Sequence, residues 1–207
     1  MIKTDARATL VEAAGIISAG GIVAYRTDTF YGLGADPLNR DAVRSIRSLK
    51  GREEAKPILL LISDEGELER FLISRSEVFQ GLAQRHWPGP LTLIGLARPE
   101  LPDELTAGTG TIGVRLPADE RVRNLVRICG GALTATSANL SGSLPARSAE
   151  EVQTYFPDEI DLIIDSGEVT VAEPSTVVDL SDKGPRIIRE GIIKREHLGI
   201  IGDPFSS

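Results

Sequence analysis

The chain has 207 residues, a formal net charge of −7, 41% hydrophobic and 26% charged residues. These proportions belong to a globular protein and set disorder aside for most of the chain. The length allows one sizeable α/β domain or two small ones, and the acidic balance argues against strong nonspecific nucleic-acid binding.

Other bulk features narrow the class further. Apolar runs such as 57–62 are too short to span a bilayer, so no membrane association is expected. The first residues lack the basic-then-apolar order of a secretory signal, and one cysteine, Cys129, suits a reducing compartment. Together these predict a cytoplasmic protein. His86, Cys129 and His197 make no metal-ligand spacing, so no zinc or other protein-held metal is expected. Only 4% of residues are aromatic, so Ile, Leu, Val and Ala must build the core.

In chain order, Leu10, Ala13, Ala14 and Ile17 fall at helical spacing within 5–19, and Gly20-Gly21 supplies a stop. Residues 22–25 read as a buried strand opening into a polar, glycine-bearing loop over 26–34. Asn39 caps a helix running to Leu49, ended by Gly51. Residues 58–62 form a second strand, followed by a helix from Asp64 to Phe71 and another over 75–86. Strands are predicted at 91–96 and 111–116, joined by the connection 102–110. A helix over 119–128, a strand over 132–136 and a helix over 149–155 come next. Strands at 162–165, 176–179 and 186–189 complete the set. Short buried strands alternating with helices predict an α/β sheet, and the late cluster of strands makes it mixed. With no repeat or linker, a single domain over 1–207 is expected, with a loose tail at 202–207.

Polar clusters fall where strands end, where open α/β sheets bind ligands. The first is Thr27-Asp28-Thr29 with Gly32 and Gly34, able to grip a small polar ligand or simply to form a hydroxyl-stabilised turn. The second, Lys50, Arg52 and Lys56, suits phosphate, although cations at a helix C-terminus also favour its dipole. The third, Ser137, Asn139 and Ser141 before Gly142, is a neutral hydrogen-bonding loop without Walker A spacing. Arg115 ends an apolar strand and needs a partner, either a ligand carboxylate or one of the thirty acidic residues. Finally, Ser175-Thr176 and Arg186 to Arg189 pair hydroxyls with a late arginine. No G-x-S-x-G elbow or triad context is present, and Cys129 reads as an inert thiol. An inventory rich in cations and hydroxyls but poor in bases points to phosphoryl or nucleotidyl transfer by positioning and charge stabilisation.

Eight strings in order carry a resemblance: 27–34 (Thr-Asp-Thr-Phe-Tyr-Gly-Leu-Gly), Lys50-Gly51-Arg52, Lys56-Pro57, 88–92 (Pro-Gly-Pro-Leu-Thr), 114–117 (Val-Arg-Leu-Pro), 137–142 (Ser-Ala-Asn-Leu-Ser-Gly), 175–179 (Ser-Thr-Val-Val-Asp) and Arg189-Glu190-Gly191. Spanning 27–191, they resemble the YrdC/Sua5 family of threonylcarbamoyl-AMP synthases. The resemblance implies a twisted mixed sheet with helices around a large, concave, locally positive cavity. It implies that threonine, bicarbonate or carbon dioxide, and ATP become threonylcarbamoyl-AMP and pyrophosphate. The product then passes to threonylcarbamoyl-transferase proteins that modify adenosine 37 of tRNA, and a direct tRNA or RNA contact is compatible with this role. Threonine is expected against Thr29, Arg115 and Ser175. ATP is expected against Arg52, Lys56, Thr111, Ser137, Asn139, Arg147 and Arg189, with Lys50 and Arg52 catalytic and Mg2+ arriving on ATP.

Arg26, Glu53 and Leu61 depart from the family pattern, where proline, proline and a histidine are common. The length matches the short, single-domain form. Two rival readings are a carbamoyl-transfer relative using carbamoyl phosphate and an RNA-binding module. The first usually carries zinc-finger and acylphosphatase-like segments, and the second lacks stacking aromatics here.

Overall fold

The computed structural model describes residues 1–51, 57–170, 173–182 and 184–200. Arg52, Glu53, Lys56 and the expected tail at 202–207 lie outside the described residues. In chain order the elements are β1 (Ile2–Thr4), α1 (Arg7–Ser18), β2 (Val23–Arg26), β3 (Tyr31–Gly34), α2 (Arg40–Leu49) and β4 (Leu59–Ile62). A 3-10 turn (Glu65–Arg70) leads to α3 (Glu77–His86), β5 (Leu91–Leu96), α4 (Asp103–Thr106) and β6 (Thr111–Arg115). The remainder is α5 (Glu120–Ile128), β7 (Ala132–Ser137), α6 (Ala149–Tyr155), β8 (Leu162–Asp165), β9 (Thr176–Asp179), β10 (Arg186–Arg189) and α7 (Arg195–Leu198).

Most helices start where the sequence supplies an acceptor. Asn39 accepts from the backbone N–H groups of Asp41 and Ala42, Ser76 from Phe79, Asp119 from Arg121 and Ser148 from Glu151. Among the described residues, strands pair in the order β1-β8-β2-β3-β7-β4-β6-β5-β9-β10. The sheet is mixed, as expected: β2 and β8 run parallel, as do β4 and β6, whereas β3 and β7 and then β7 and β4 run antiparallel.

Three expectations need correction. The stretch 31–34 is strand β3, not loop, and it lies between β2 and β7 with every residue buried. Its glycines answer to close packing, because a Cβ on Gly34 would sit 2.6 Å from Cε1 of Tyr25. The helix expected from Asp64 is a 3-10 turn, capped by the Asp64 side chain. The connection 102–110 contains the short helix α4.

Alternation along the strands sorts side chains onto two faces. Ala24, Leu33, Leu60, Leu93, Val114 and Val178 join the larger core under α2, α3 and α6, while Val23, Tyr25, Leu61, Leu133 and Leu162 meet α1 and α5. Helices α1 and α5 pack on each other, α1 also on β2 and β8 and α5 on β4 and β7. Along β4, β5, β6 and β9 the same face stays open to a cavity. That uncovered stretch places the site.

Candidate functional site

The cavity has a volume of about 400 Å³. Its floor is the open sheet face, with Leu59 and Leu61 from β4, Thr92 and Ile94 from β5, Gly113 and Arg115 from β6, Ala135 and Ser137 from β7, and Val177 from β9. The loop between β2 and β3 makes one wall, while Ser175, Ile188 and Arg189 make another.

Loop 27–30 is shaped by Thr27. Its hydroxyl donates to the Phe30 carbonyl at 2.7 Å and accepts from the N–H groups of Thr29 and Phe30, both at 3.2 Å. The hydroxyls of Thr27 and Thr29 lie 3.1 Å apart. The turn and the ligand-binding readings are therefore compatible, since the turn aims Thr29 into the cavity.

Arg115 ends β6 with only 5% of its surface exposed. Its Nε donates to the Gly89 carbonyl at 3.1 Å and its Nη1 to Thr29 Oγ1 at 3.4 Å, while Nη2 forms an ion pair with Asp28 Oδ1. The ion-paired atoms do not complete an aligned hydrogen bond. Burial lowers the Arg115 pKa and the Asp28 charge opposes that shift, so the guanidinium keeps its charge. Asp28 thus faces Arg115 and lies outside the cavity wall.

Arg189 approaches from β10. Its Nε donates to the Ser175 carbonyl at 3.1 Å and its Nη2 to Ser175 Oγ at 3.2 Å. Burial, followed by the like charge of Arg115, holds its pKa below the ordinary value. Ser175 Oγ lies 3.1 Å from Thr92 Oγ1. Thr92, which the sequence offers only within the string 88–92, lines the floor and is fully buried. The parallel pairing of β5 with β9 sets Thr92 opposite Val177, two residues after Ser175 and on the same face.

The loop after β7 brings Ser137 and Asn139 to Lys50. Lys50 Nζ donates to the Ser137 carbonyl at 2.6 Å and to Asn139 Oδ1 at 2.7 Å. Ser137 Oγ also donates to Asn139 Oδ1, at 2.6 Å, and Asn139 Nδ2 donates to the Ser143 carbonyl at 2.6 Å. Thr29, Arg115, Ser137, Ser175 and Arg189 therefore line one cavity, with Lys50 and Asn139 bonded just behind Ser137. Thr111 and Arg147 lie outside it. Thr111 sits at the other end of β6 beside the Thr109 hydroxyl, 2.9 Å away, and Arg147 Nε donates to the Val169 carbonyl at 3.0 Å. Arg52 and Lys56 are outside the described residues.

No described residue in the wall is a carboxylate, and no group of three metal-binding side chains exists among the described residues. Cations and neutral hydroxyls facing an apolar floor suit an anionic ligand that also carries apolar surface. No helix among the described residues is long and apolar enough to cross a membrane.

Fold and cavity define an α/β protein with a cationic ligand site on one open face of a mixed sheet. The model of the Sua5/YciO/YrdC family, described as telomere recombination, matches residues 15–191, and the chain belongs to that family. It is 41% identical over 172 residues to a threonylcarbamoyl-AMP synthase of Idiomarina loihiensis, covering 81% of this chain and 91% of that protein. To the synthase of Pyrococcus abyssi it is 38% identical over 192 residues, covering 92% of this chain but 56% of the relative. The chain therefore spans little more than half the length of that relative. The crystal structure of Pyrococcus abyssi Sua5 complexed with L-threonine superposes with a TM-score of 0.86 at 37% identity, over 92% of this chain and 56% of that one.

Proposed function

We propose that the chain is an L-threonylcarbamoyladenylate synthase, a nucleotidyltransferase that joins threonine, inorganic carbon and ATP. The observation that carries the reading is the buried Arg115 fork, held beside Thr29 and facing an apolar-floored cavity. That arrangement fits an amino-acid carboxylate with its small side chain directed at the floor. Thr29 and Ser175 supply hydroxyls to the same ligand.

In this reading threonine's amine, once deprotonated, adds to carbon dioxide and loses a proton to leave a carbamate. A carbamate oxygen attacks the α-phosphorus of ATP, a P–O bond forms, and the bond to pyrophosphate breaks. Arg189 and Lys50, with Arg52 and Lys56, neutralise the triphosphate and the charge developing at phosphorus. Ser137 and Asn139 orient phosphate or carbamate oxygens. Thr111 lies about 13 Å along β6 from Arg115, so it and Arg147 are assigned to the distal part of an extended nucleotide. The described lining holds no carboxylate, which supports Mg2+ arriving on the phosphates of ATP. The product serves modification of tRNA adenosine 37 through a transferase partner, in the cytoplasm.

The test is pyrophosphate release in degassed buffer, with each component omitted in turn. Release is expected only when threonine, ATP, Mg2+ and inorganic carbon are all present. An ordinary aminoacyl-adenylate would need no inorganic carbon, a carbamoyl-transfer enzyme would accept carbamoyl phosphate, and an RNA-binding module would release nothing. Any of these three outcomes removes the reading.

A further inference from the structure

The three anchors of Arg115 differ in kind. Gly89 and Thr29 offer neutral oxygens, whereas Asp28 offers a charge, and the side chains of the ion pair are only 6% and 19% exposed. A guanidinium has five N–H donors. Nε and Nη1 each commit one to a hydrogen bond, and the buried Nη2 faces Asp28 through charge without an aligned hydrogen bond, which leaves the second N–H of Nη1 as the donor that can meet a ligand.

That donor can hold a carboxylate in a defined direction only if the guanidinium plane is fixed. Two features work against that. The Arg189 guanidinium is a like charge lining the same cavity, and burial penalises an uncompensated arginine. Asp28 opposes both effects. It approaches from the tight loop closed by Thr27 and does not line the cavity, so a ligand entering the cavity need not displace it.

We propose that Asp28 is a positioning residue, which fixes the Arg115 fork for the carboxylate of the amino-acid substrate without touching that substrate. The proposal rests on the reading of Arg115 as the carboxylate site. Asp28 is also what makes the site selective: with its charge partly matched, Arg115 holds one monoanionic carboxylate in a defined plane and does not act as a general phosphate trap.

The test is calorimetric titration of threonine and ATP, separately, into the wild type, Asp28→Asn, Arg115→Leu and the double variant. Asp28→Asn keeps the shape and removes the charge. It should weaken threonine about tenfold to a hundredfold, the scale of loss for a misplaced recognition group, and leave ATP within about twofold. Adding Asp28→Asn to Arg115→Leu should change threonine affinity no further, because Asp28 acts only through Arg115. Asp28→Glu, which keeps the charge on a longer stem, should retain more affinity than Asp28→Asn. It also carries the comparison with ATP if Asp28→Asn fails to fold. Unchanged or tighter threonine binding in Asp28→Asn would overturn the proposal, since Asp28 would then be a bystander or a competitor for Arg115. So would equal losses for both ligands, or additive losses in the double variant. Failure of the parent reading looks different: the wild type itself would not bind threonine.

Discussion

Lys50 Nζ lies 2.7 Å from Asn139 Oδ1, and the pair ties the C-terminal end of α2 to the loop that follows β7. Lys50 is 3% exposed and also donates to the Ser137 carbonyl at 2.6 Å. Its charge therefore reaches the cavity through the residues it orders. Lys50→Met should cost about 3 kcal/mol of stability, the scale for breaking buried charged hydrogen bonds. It should also lower pyrophosphate release by roughly a hundredfold or more. Thermal unfolding together with the pyrophosphate assay checks both. Full stability with lost turnover would restrict Lys50 to chemistry.

At Arg115 charge and shape separate. Arg115→Lys keeps the cation opposite Asp28 but loses the fork, so threonine binding should fall by about 1.5–3 kcal/mol while ATP binding holds. Arg115→Leu strands Asp28 in a largely buried place and should in addition cost about 3 kcal/mol of stability. Calorimetry and denaturant unfolding of the two variants measure these effects. Equal loss of both ligands in Arg115→Lys would assign the arginine to phosphate.

Gly191 carries a packing constraint on the site. A Cβ there would meet the Pro174 carbonyl oxygen at 2.1 Å and the Ser175 carbonyl carbon at 2.8 Å, both of them backbone. The Gly191 N–H also donates to Thr176 Oγ1 at 3.0 Å. Gly191→Ala should cost about 1–3 kcal/mol, the range for overpacking, and should weaken threonine by shifting Ser175. Gly15, inside α1 with nothing within 4 Å of its would-be Cβ, is the control. Gly15→Ala should be neutral or stabilise by up to about 1 kcal/mol. Thermal unfolding of the two variants decides, and a Gly191→Ala protein as stable as the control would remove the constraint.

Strong local signals made most elements legible. Asn39 and Asp119 mark helix starts, and apolar runs mark β4, β5 and β7. Strand β3 was hidden because glycine reads as loop, and the reason for Gly34, the ring of Tyr25 on the neighbouring strand, is tertiary. Edge strand β1 has three residues and little periodicity to read. At the site, residue types were legible but partnerships were not. Arg115 visibly needed a counter-charge, yet nothing local pointed to Asp28 among thirty acidic residues. The cavity itself depends on how far α1 and α5 cover one sheet face, and no short stretch of sequence encodes that. Thr92 could have been flagged by alternation, since it falls on the same face of β5 as Ile94.

The last prediction concerns alkaline pH, where buried acids oppose the folded state. Burial pushes the Cys129 thiol up from 9.0 to about 12. Burial also raises the Tyr31 hydroxyl from 10.0 to about 12, and Tyr25, which is fully buried and donates to the Thr134 carbonyl at 3.1 Å, is raised as well. Each group keeps its proton longer in the folded chain than in the unfolded one. Above pH 9 the unfolded state therefore binds fewer protons, and stability falls as pH rises. The stabilising contribution is complete below the unfolded value and is lost progressively as pH climbs through the folded one. For Cys129 that window runs from 9.0 to about 12, at a slope of at most about 1.4 kcal/mol per pH unit, less for a half-buried thiol. Cys129→Ser removes one titrating group and should flatten the decline between pH 9 and 10 without altering turnover at pH 7.5, since no reactive thiolate is expected there. Thermal midpoints from pH 7 to pH 11 for both proteins measure it. An unchanged alkaline slope in Cys129→Ser, or rapid alkylation of the folded wild type at pH 7.5, would show that the thiol is not held protonated.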